Sequence, residues 1–187
     1  AIDDATGQVT SWDPSVTTYL MTCSVKTSAE SGGIVYVGGE FTGIGGQTRN
    51  NTAALDSTTG LVTAWDPNAD GEVLALAVSG ATLYTAGGFG NIGGQSRHHI
   101  AALDTATGQA TAWNPDAKGH VWALTVAGST VYAGGGFVEF NGVPRNTLIA
   151  LDTVTGLTHA WRLNANNDFF YSVAVSGATV YASGDFT

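Results

Sequence analysis

Three groups of side chains in this 187-residue sequence are of types that do chemistry. Asp66, Asn68 and Asp70 stand in the run Asp66-Pro67-Asn68-Ala69-Asp70-Gly71. It matches the first half of an EF-hand loop, in which alternate carboxylate and amide oxygens converge on Ca²⁺ and a glycine permits the sharp turn. Position twelve, the place of the bidentate acid, falls on Ala77, and the equivalent run Asn114-Pro115-Asp116-Ala117-Lys118-Gly119 puts an ammonium where a ligand belongs. An Asp-Pro turn with solvated carboxylates accounts for the same residues without metal. The expectation is therefore no cofactor, with calcium at Asp66, Asn68 and Asp70 as the alternative.

Arg49, Arg97 and Arg145 recur 48 residues apart. A ring of guanidinium groups can grip carboxylates or sugar hydroxyls. The competing reading is that each Arg ties its own loop to carbonyls or to a neighbouring Asp. Recurrence favours this, because a fold repeats where a ligand site breaks symmetry. Symmetry does break at His98-His99, where other copies carry Asn50-Asn51 and Asn146-Thr147, and at His120. Adjacent side chains of an extended segment point to opposite faces, so the two imidazoles are not expected to chelate one ion. Arg49, Arg97, Arg145, His98 and His99 are the candidate ligand-binding residues. No Ser-His-Asp or Cys-His arrangement, paired-carboxylate motif, P-loop or HExxH is identifiable, so no catalytic residue is assigned. The single cysteine, Cys23, lies in the apolar run Leu20-Met21-Thr22-Cys23-Ser24-Val25 and is expected as a buried small hydrophobe.

The elements that position these residues repeat. Asp3, Asp56, Asp104 and Asp152 are spaced by 53, 48 and 48 residues. Each is followed at a fixed offset by Thr-Gly (Thr6-Gly7, Thr59-Gly60, Thr107-Gly108, Thr155-Gly156) and then by Trp12, Trp65, Trp113 or Trp161. Tyr36, Tyr84, Tyr132 and Tyr181 repeat as well, each ahead of a Gly-rich stretch and of Phe41, Phe89, Phe137 or Phe186. The five extra residues of the first interval are assigned to a hairpin turn within 26–33. In the second copy the strand candidates are 73–78, 82–86, 100–103 and 110–113, with Ser79-Gly80 and Thr107-Gly108 closing tight hairpins. Leu74, Leu76 and Val78 read as one bulky face, as do Trp122, Leu124 and Val126. The Tyr and Trp residues are expected as wedges between neighbouring copies, their O–H and N–H reaching partners at the rim.

A repeat of about 48 residues holding a four-stranded antiparallel meander has the length of a propeller blade. The expected fold is all-β: a β-propeller of four-stranded blades, with four repeats in a single domain over 1–187. The repeats run over about 19–66, 73–114, 121–162 and 170–187, the last completed by 1–13. Pairing of 2–13 with 170–186 would close the ring. A closed four-bladed ring, half of a dimeric ring and a fragment of a larger propeller all remain open.

Composition narrows the partners. The formal charge is −9, and the six Lys and Arg are scattered singly, which excludes the basic stripe that neutralises phosphates and argues against an anionic membrane surface. No apolar run approaches the roughly 20 residues that span a bilayer. The N-terminal AIDDATG carries no signal-peptide pattern.

The run Gly38-Gly39-Glu40-Phe41, with Gly45-Gly46, Arg49 and Ala53-Ala54-Leu55-Asp56, resembles the bacterial delta-sixty type, kelch-like propeller repeat. Gly87-Gly88-Phe89 through Arg97 and Gly135-Gly136-Phe137 through Arg145 carry the resemblance across the chain. It implies a propeller in large secreted or surface proteins with no common activity. Ala54-x-Asp56-x-x-Thr59-Gly60 followed by Trp65 also resembles the tryptophan-docking motif of quinoprotein dehydrogenase propellers, although the Trp normally comes one residue sooner. Those enzymes use a vicinal disulfide and an acidic calcium cluster; this chain has one Cys and no such cluster. The functional expectation is a non-catalytic scaffold from a secreted or cell-surface bacterial protein. It would bind protein or glycan through loops at one end, as a monomer or as a homodimer completing a ring. The alternatives are a propeller enzyme with a site over the central channel and a purely structural spacer.

Overall fold

The computed structural model describes residues 5, 6, 8, 10–18, 23–160 and 169–185. Among these the chain is all-β and entirely antiparallel, with no helix. A short strand, β1 (Val16–Thr17), precedes the first repeat unit. That unit holds β2 (Ser24–Ser31), β3 (Ile34–Glu40), the small hairpin β4 (Gly43–Ile44) and β5 (Gln47–Thr48), and β6 (Thr52–Asp56). The second unit has β7 (Val73–Ser79), β8 (Thr82–Gly87), β9 (Asn91–Ile92), β10 (Gln95–Ser96) and β11 (Ile100–Asp104). The third has β12 (Ala117–Ala127), β13 (Thr130–Phe140), β14 (Val143–Pro144) and β15 (Leu148–Asp152), and the fourth has β16 (Phe169–Ser176) and β17 (Thr179–Asp185).

Local chemistry accounts for each sheet. β2 and β3 close on Gly32-Gly33, both at positive φ, and Ser31 pairs with Ile34. β7 and β8 close the same way, Ser79 pairing with Thr82 around Gly80. Two-residue turns of this hand match the twist of the flanking strands. Each third strand, β6, β11 or β15, lies on the far side of the second, and each ends in an Asp-x-x-Thr-Gly turn. The Asp56 carboxylate accepts N–H bonds from Thr58 and Thr59 and the Thr59 hydroxyl. Asp104 and Asp152 repeat the arrangement.

The core sits between sheets. β2, β7, β12 and β16 pack in that order, each against the next. One apolar cluster joins Tyr36, Ala54 and Trp65 of the first unit to Val73, Leu76, Leu83 and Leu103 of the second. Another joins Tyr84 and Trp113 to Val121, Leu124 and Val131. A smaller one joins Ala123 and Leu148 to Phe170 and Val173. The clusters span units, so it is stacking of successive units that removes these side chains from water.

The cross-unit hydrogen bonds follow one rule. Trp12, Trp65 and Trp113 donate Nε1–H to the carbonyls of Asp56, Asp104 and Asp152. Tyr36 and Tyr84 donate their hydroxyls to the carbonyls of Thr105 and Thr153. Each Tyr also meets its own unit's Trp edge-on, with centroids 5.2 and 5.1 Å apart. These side chains are the expected wedges.

Four expectations need correction. The five extra residues do not lengthen the first hairpin, which is as tight as the second. They lie between Trp12 and Ser24, where β1 pairs with β4. The fourth strand of each unit shrinks to single bridges, Leu55 to Val62, Leu103 to Ala110 and Leu151 to Thr158. Beyond them the chain turns away so that Trp65 and Trp113 reach the next unit. Leu74 does not share a face with Leu76: the first strand of each unit carries a one-residue bulge, so Val73 and Leu76 are the buried pair and Leu74 is only half-buried. Trp122 is displaced in the same way. Cys23 is exposed, because it precedes β2 on a unit face that no described sheet covers. The expected closing pairing is of 2–13 with 170–186; within it residues 2–4, 7, 9 and 186 lie outside the described residues, as do Trp161 and the loop 164–168. Among the described residues β17 pairs only with β16.

Candidate functional site

The residues singled out from the sequence are mostly occupied in holding loops together. The Arg49 side chain is 12% exposed. It donates to the Thr48 and Thr63 carbonyls at 2.7 and 2.8 Å and to Gln47 Oε1 at 3.1 Å. Arg97 repeats this with the Ser96 and Thr111 carbonyls, and Arg145 with Pro144 O and Thr158 Oγ1. Each guanidinium fastens the loop hairpin to the segment after the third strand.

Asp66, Asn68 and Asp70 face three different partners. Asp66 lies 3.8 Å from Arg49, and Asn68 Oδ1 accepts from Asn50 Nδ2. Asp70 accepts from the Gly90 and Asn91 N–H groups and the Asn91 side chain, at 2.8, 2.9 and 2.6 Å. Burial pushes the Asp70 carboxyl up, but these donors outweigh it and hold it below the usual carboxylate range. At the equivalent place Lys118 pairs with Glu139 at 2.6 Å. The run that matches a calcium loop thus works as a staple between a linker and the next unit's Phe loop. Among the described residues no group of three or more His, Cys, Asp or Glu is placed to share a metal ion.

His98 and His99 take different partners, although His99, at φ 62°, does not have the extended backbone expected from the sequence. His98 Nδ1 lies 2.7 Å from Asp116 Oδ1, replacing the Asn50–Asn68 pair of the unit before it. His99 sits with Nδ1 3.2 Å from the Gly87 carbonyl and stacks on His120 at 5.0 Å. Burial depresses its pKa; the Gly87 contact opposes this, and the neighbouring imidazoles of His120 and His98 reinforce it.

Sequence reading missed a column that runs across the units. The bulged residues of β2, β7, β12 and β16 are Lys26, Leu74, Trp122 and Tyr171. Opposite each bulge stands a glycine, Gly39, Gly87, Gly135 or Gly184. A Cβ there would run into the backbone carbonyl two residues before the bulged one. The glycines are what let the strands approach, and bulges of this kind re-aim a side chain. The scaffold of the column repeats and its occupants do not: one cation, one aliphatic and two aromatics. Trp122 and Tyr171 stack with centroids 5.3 Å apart and planes at 23°, and Phe169 leans on Trp122 at 5.5 Å. Phe169 and Tyr171 are 44% and 51% exposed.

A cleft opens beside this aromatic group between the third and fourth units, lined by Gly136, Phe137, Val138, Asn146, Thr147 and Phe169. The cleft between the first and second units is acidic, with Glu40, Asp70 and Glu72 on its wall. Between the second and third units the stacked His99 and His120 stand beside Gly88. The glycine pairs and the tryptophan were visible in the sequence. The bulge was not, because it appears only in strand register.

No family model and no curated protein matches the chain. Among solved structures it is similar to the computationally designed Ika4 protein, with a TM-score of 0.58 and 16% identity over 90% of both chains. The computationally designed Ika8 protein matches with a TM-score of 0.40 and 14% identity, over 92% of this chain and 71% of that one. The Ika4 likeness is one of fold, and it spans nearly the whole all-β chain.

Proposed function

We propose that the chain is a non-catalytic β-propeller module of a secreted or cell-surface protein, its units set radially as blades. On this reading it binds a neutral glycan in the cleft between the third and fourth units. The observation that carries the reading is the Trp122, Tyr171 and Phe169 group, exposed aromatic surface at a position that the other units fill differently. Flat aromatic faces accept the apolar face of a sugar ring, and the exposed Asn146 amide at the rim supplies donors and acceptors for hydroxyls. The charge of −9 disfavours anionic ligands. The radial arrangement is supported by the serial packing of the four first strands and by the repeated Tyr and Trp bonds.

The test is a titration of neutral oligosaccharides followed by Trp fluorescence and calorimetry. Binding that weakens about tenfold in both Phe169→Ala and Tyr171→Ala is the expected result. No binding to any neutral oligosaccharide, or binding untouched by both substitutions, would overturn the reading.

A further inference from the structure

We infer that a second copy of this chain seats on the open faces of the first and last units, each copy's fourth unit packing on the other's first. The inference rests on the unit-to-unit packing and not on the glycan reading. Inside the chain every junction has a trailing face and a leading face. The trailing face of the second unit presents Ala75, Ala77, Tyr84 and Ala86, and the leading face of the third presents Val121, Leu124 and Val131. The trailing face of the fourth unit has the same pattern in Ser172, Ala174, Tyr181 and Ser183. No described sheet covers it: Tyr181 is 59% exposed, against 4% for Tyr36 and 3% for Tyr84. The leading face of the first unit is also open, with Val25 45% exposed where Val73 and Val121 are fully buried. β16 and β2 stand at opposite ends of the packed series.

Both open faces carry half of the junction code. Trp12 already donates to the Asp56 carbonyl, as Trp65 and Trp113 do to theirs. The matching acceptor for a tyrosine is the next carbonyl, that of Ser57, since Tyr36 and Tyr84 reach Thr105 and Thr153. Among the described hydrogen bonds none ends on the Ser57 carbonyl, and Tyr181 is the tyrosine in register to supply it from a second copy. Charge agrees. In the bulge column Lys26 would follow Tyr171, as Tyr171 follows Trp122. The second copy's Lys26 then comes toward the Asp185 carboxylate, to which the Tyr171 hydroxyl donates at 2.9 Å. Neither open face is as apolar as the internal ones. Ser28 and Glu30 stand on the leading face in place of Leu76 and Val78, which limits the apolar surface that a lone copy leaves open. Two such contacts related by a twofold axis close on themselves and leave no free end.

Sedimentation and light scattering on the wild-type chain at micromolar concentration test this. Twice the 19.1 kDa of one chain is expected. A monomer, or an open-ended series of larger species, would overturn the inference. Tyr181→Arg and Ser28→Arg change exposed positions on opposite faces, with circular dichroism to confirm folding. Each alone should weaken dimerisation about tenfold or more. Mixed together they should recover a heterodimer through the one junction left intact. A dimer broken by one substitution and indifferent to the other would instead mean like face on like face, and would overturn the head-to-tail assignment. Mass is read without ligand, so this result and the glycan titration fail separately.

Discussion

At the residue scale the repeat exposes which side chains are at odds with their backbone. Asn51, His99 and Thr147 occupy one equivalent position, and all three have positive φ, at 60°, 62° and 64°. Asn adopts this conformation readily, whereas a β-branched side chain is strained there. Thr147 is also 5% exposed with its hydroxyl lacking a hydrogen-bond partner. Thr147→Asn should therefore stabilise the chain by about 1 kcal/mol, raising the melting temperature by about 2–4 °C. A lower melting temperature would show that the methyl packing outweighs the strain. His99 gives the opposite case, a residue that tolerates its backbone but not its proton. Its folded pKa is depressed, first by burial and then by His120 and His98, with the Gly87 carbonyl and Asp116 opposing. The unfolded chain takes up a proton near pH 6.5, about where imidazole ordinarily titrates, and the folded chain does not. Stability from this group is present above that pH and is lost as pH falls below it. Urea midpoints between about pH 7.5 and pH 5.5 should fall more steeply for the wild type than for His99→Asn.

At the element scale the bulge decides what the sequence could and could not disclose. Strands, tight turns and the Tyr and Trp wedges were legible because they recur with fixed chemistry. Asp56, Thr59 and Gly60 specify a turn whatever surrounds them. Leu74 and Trp122 were not legible, because strict alternation assigns them to the core and one inserted residue per strand reverses that. The same shift hid the aromatic group, since Trp122 in a regular strand would read as packing. The glycines opposite the bulges hold the register, and this can be measured. Gly87 has ordinary φ, yet a Cβ there would meet the Glu72 carbonyl and the Val73 backbone. Gly87→Ala should cost about 3 kcal/mol in urea unfolding. Gly80→Ala, where φ is 57° but nothing lies within 4 Å, should cost only about 1 kcal/mol. Equal losses would mean that close approach to the Glu72 carbonyl is not what demands a glycine at position 87.

At the scale of the whole molecule stability is distributed along a line of units. Among the described strands the units pack serially, each on its neighbours, so the free energy of the array is a sum of weak sheets and the junctions between them. The second unit is covered on both sides, and the inner residues of β8 and β11 are buried almost without exception. Among the described residues the fourth unit is covered on one side, and β17 has no fully buried residue. Amide exchange should follow that order: slowest in β8 and β11, fastest in β16 and β17. Removing one junction bond should sharpen the gradient. Trp113→Phe deletes the donor to the Asp152 carbonyl, a loss of about 1 kcal/mol at one point. Because β15 to β17 depend on that junction, they should exchange faster while β8 keeps most of its protection. Trp12→Phe removes the same bond at the first unit's outer edge and, in dilute monomer, should leave β16 unchanged. If a second copy covers the last unit, protection of β16 and β17 must also rise with protein concentration while that of β8 stays constant. A protection pattern uniform across units and independent of concentration would mean one cooperative block, and the unit-by-unit description of this chain would have to be abandoned.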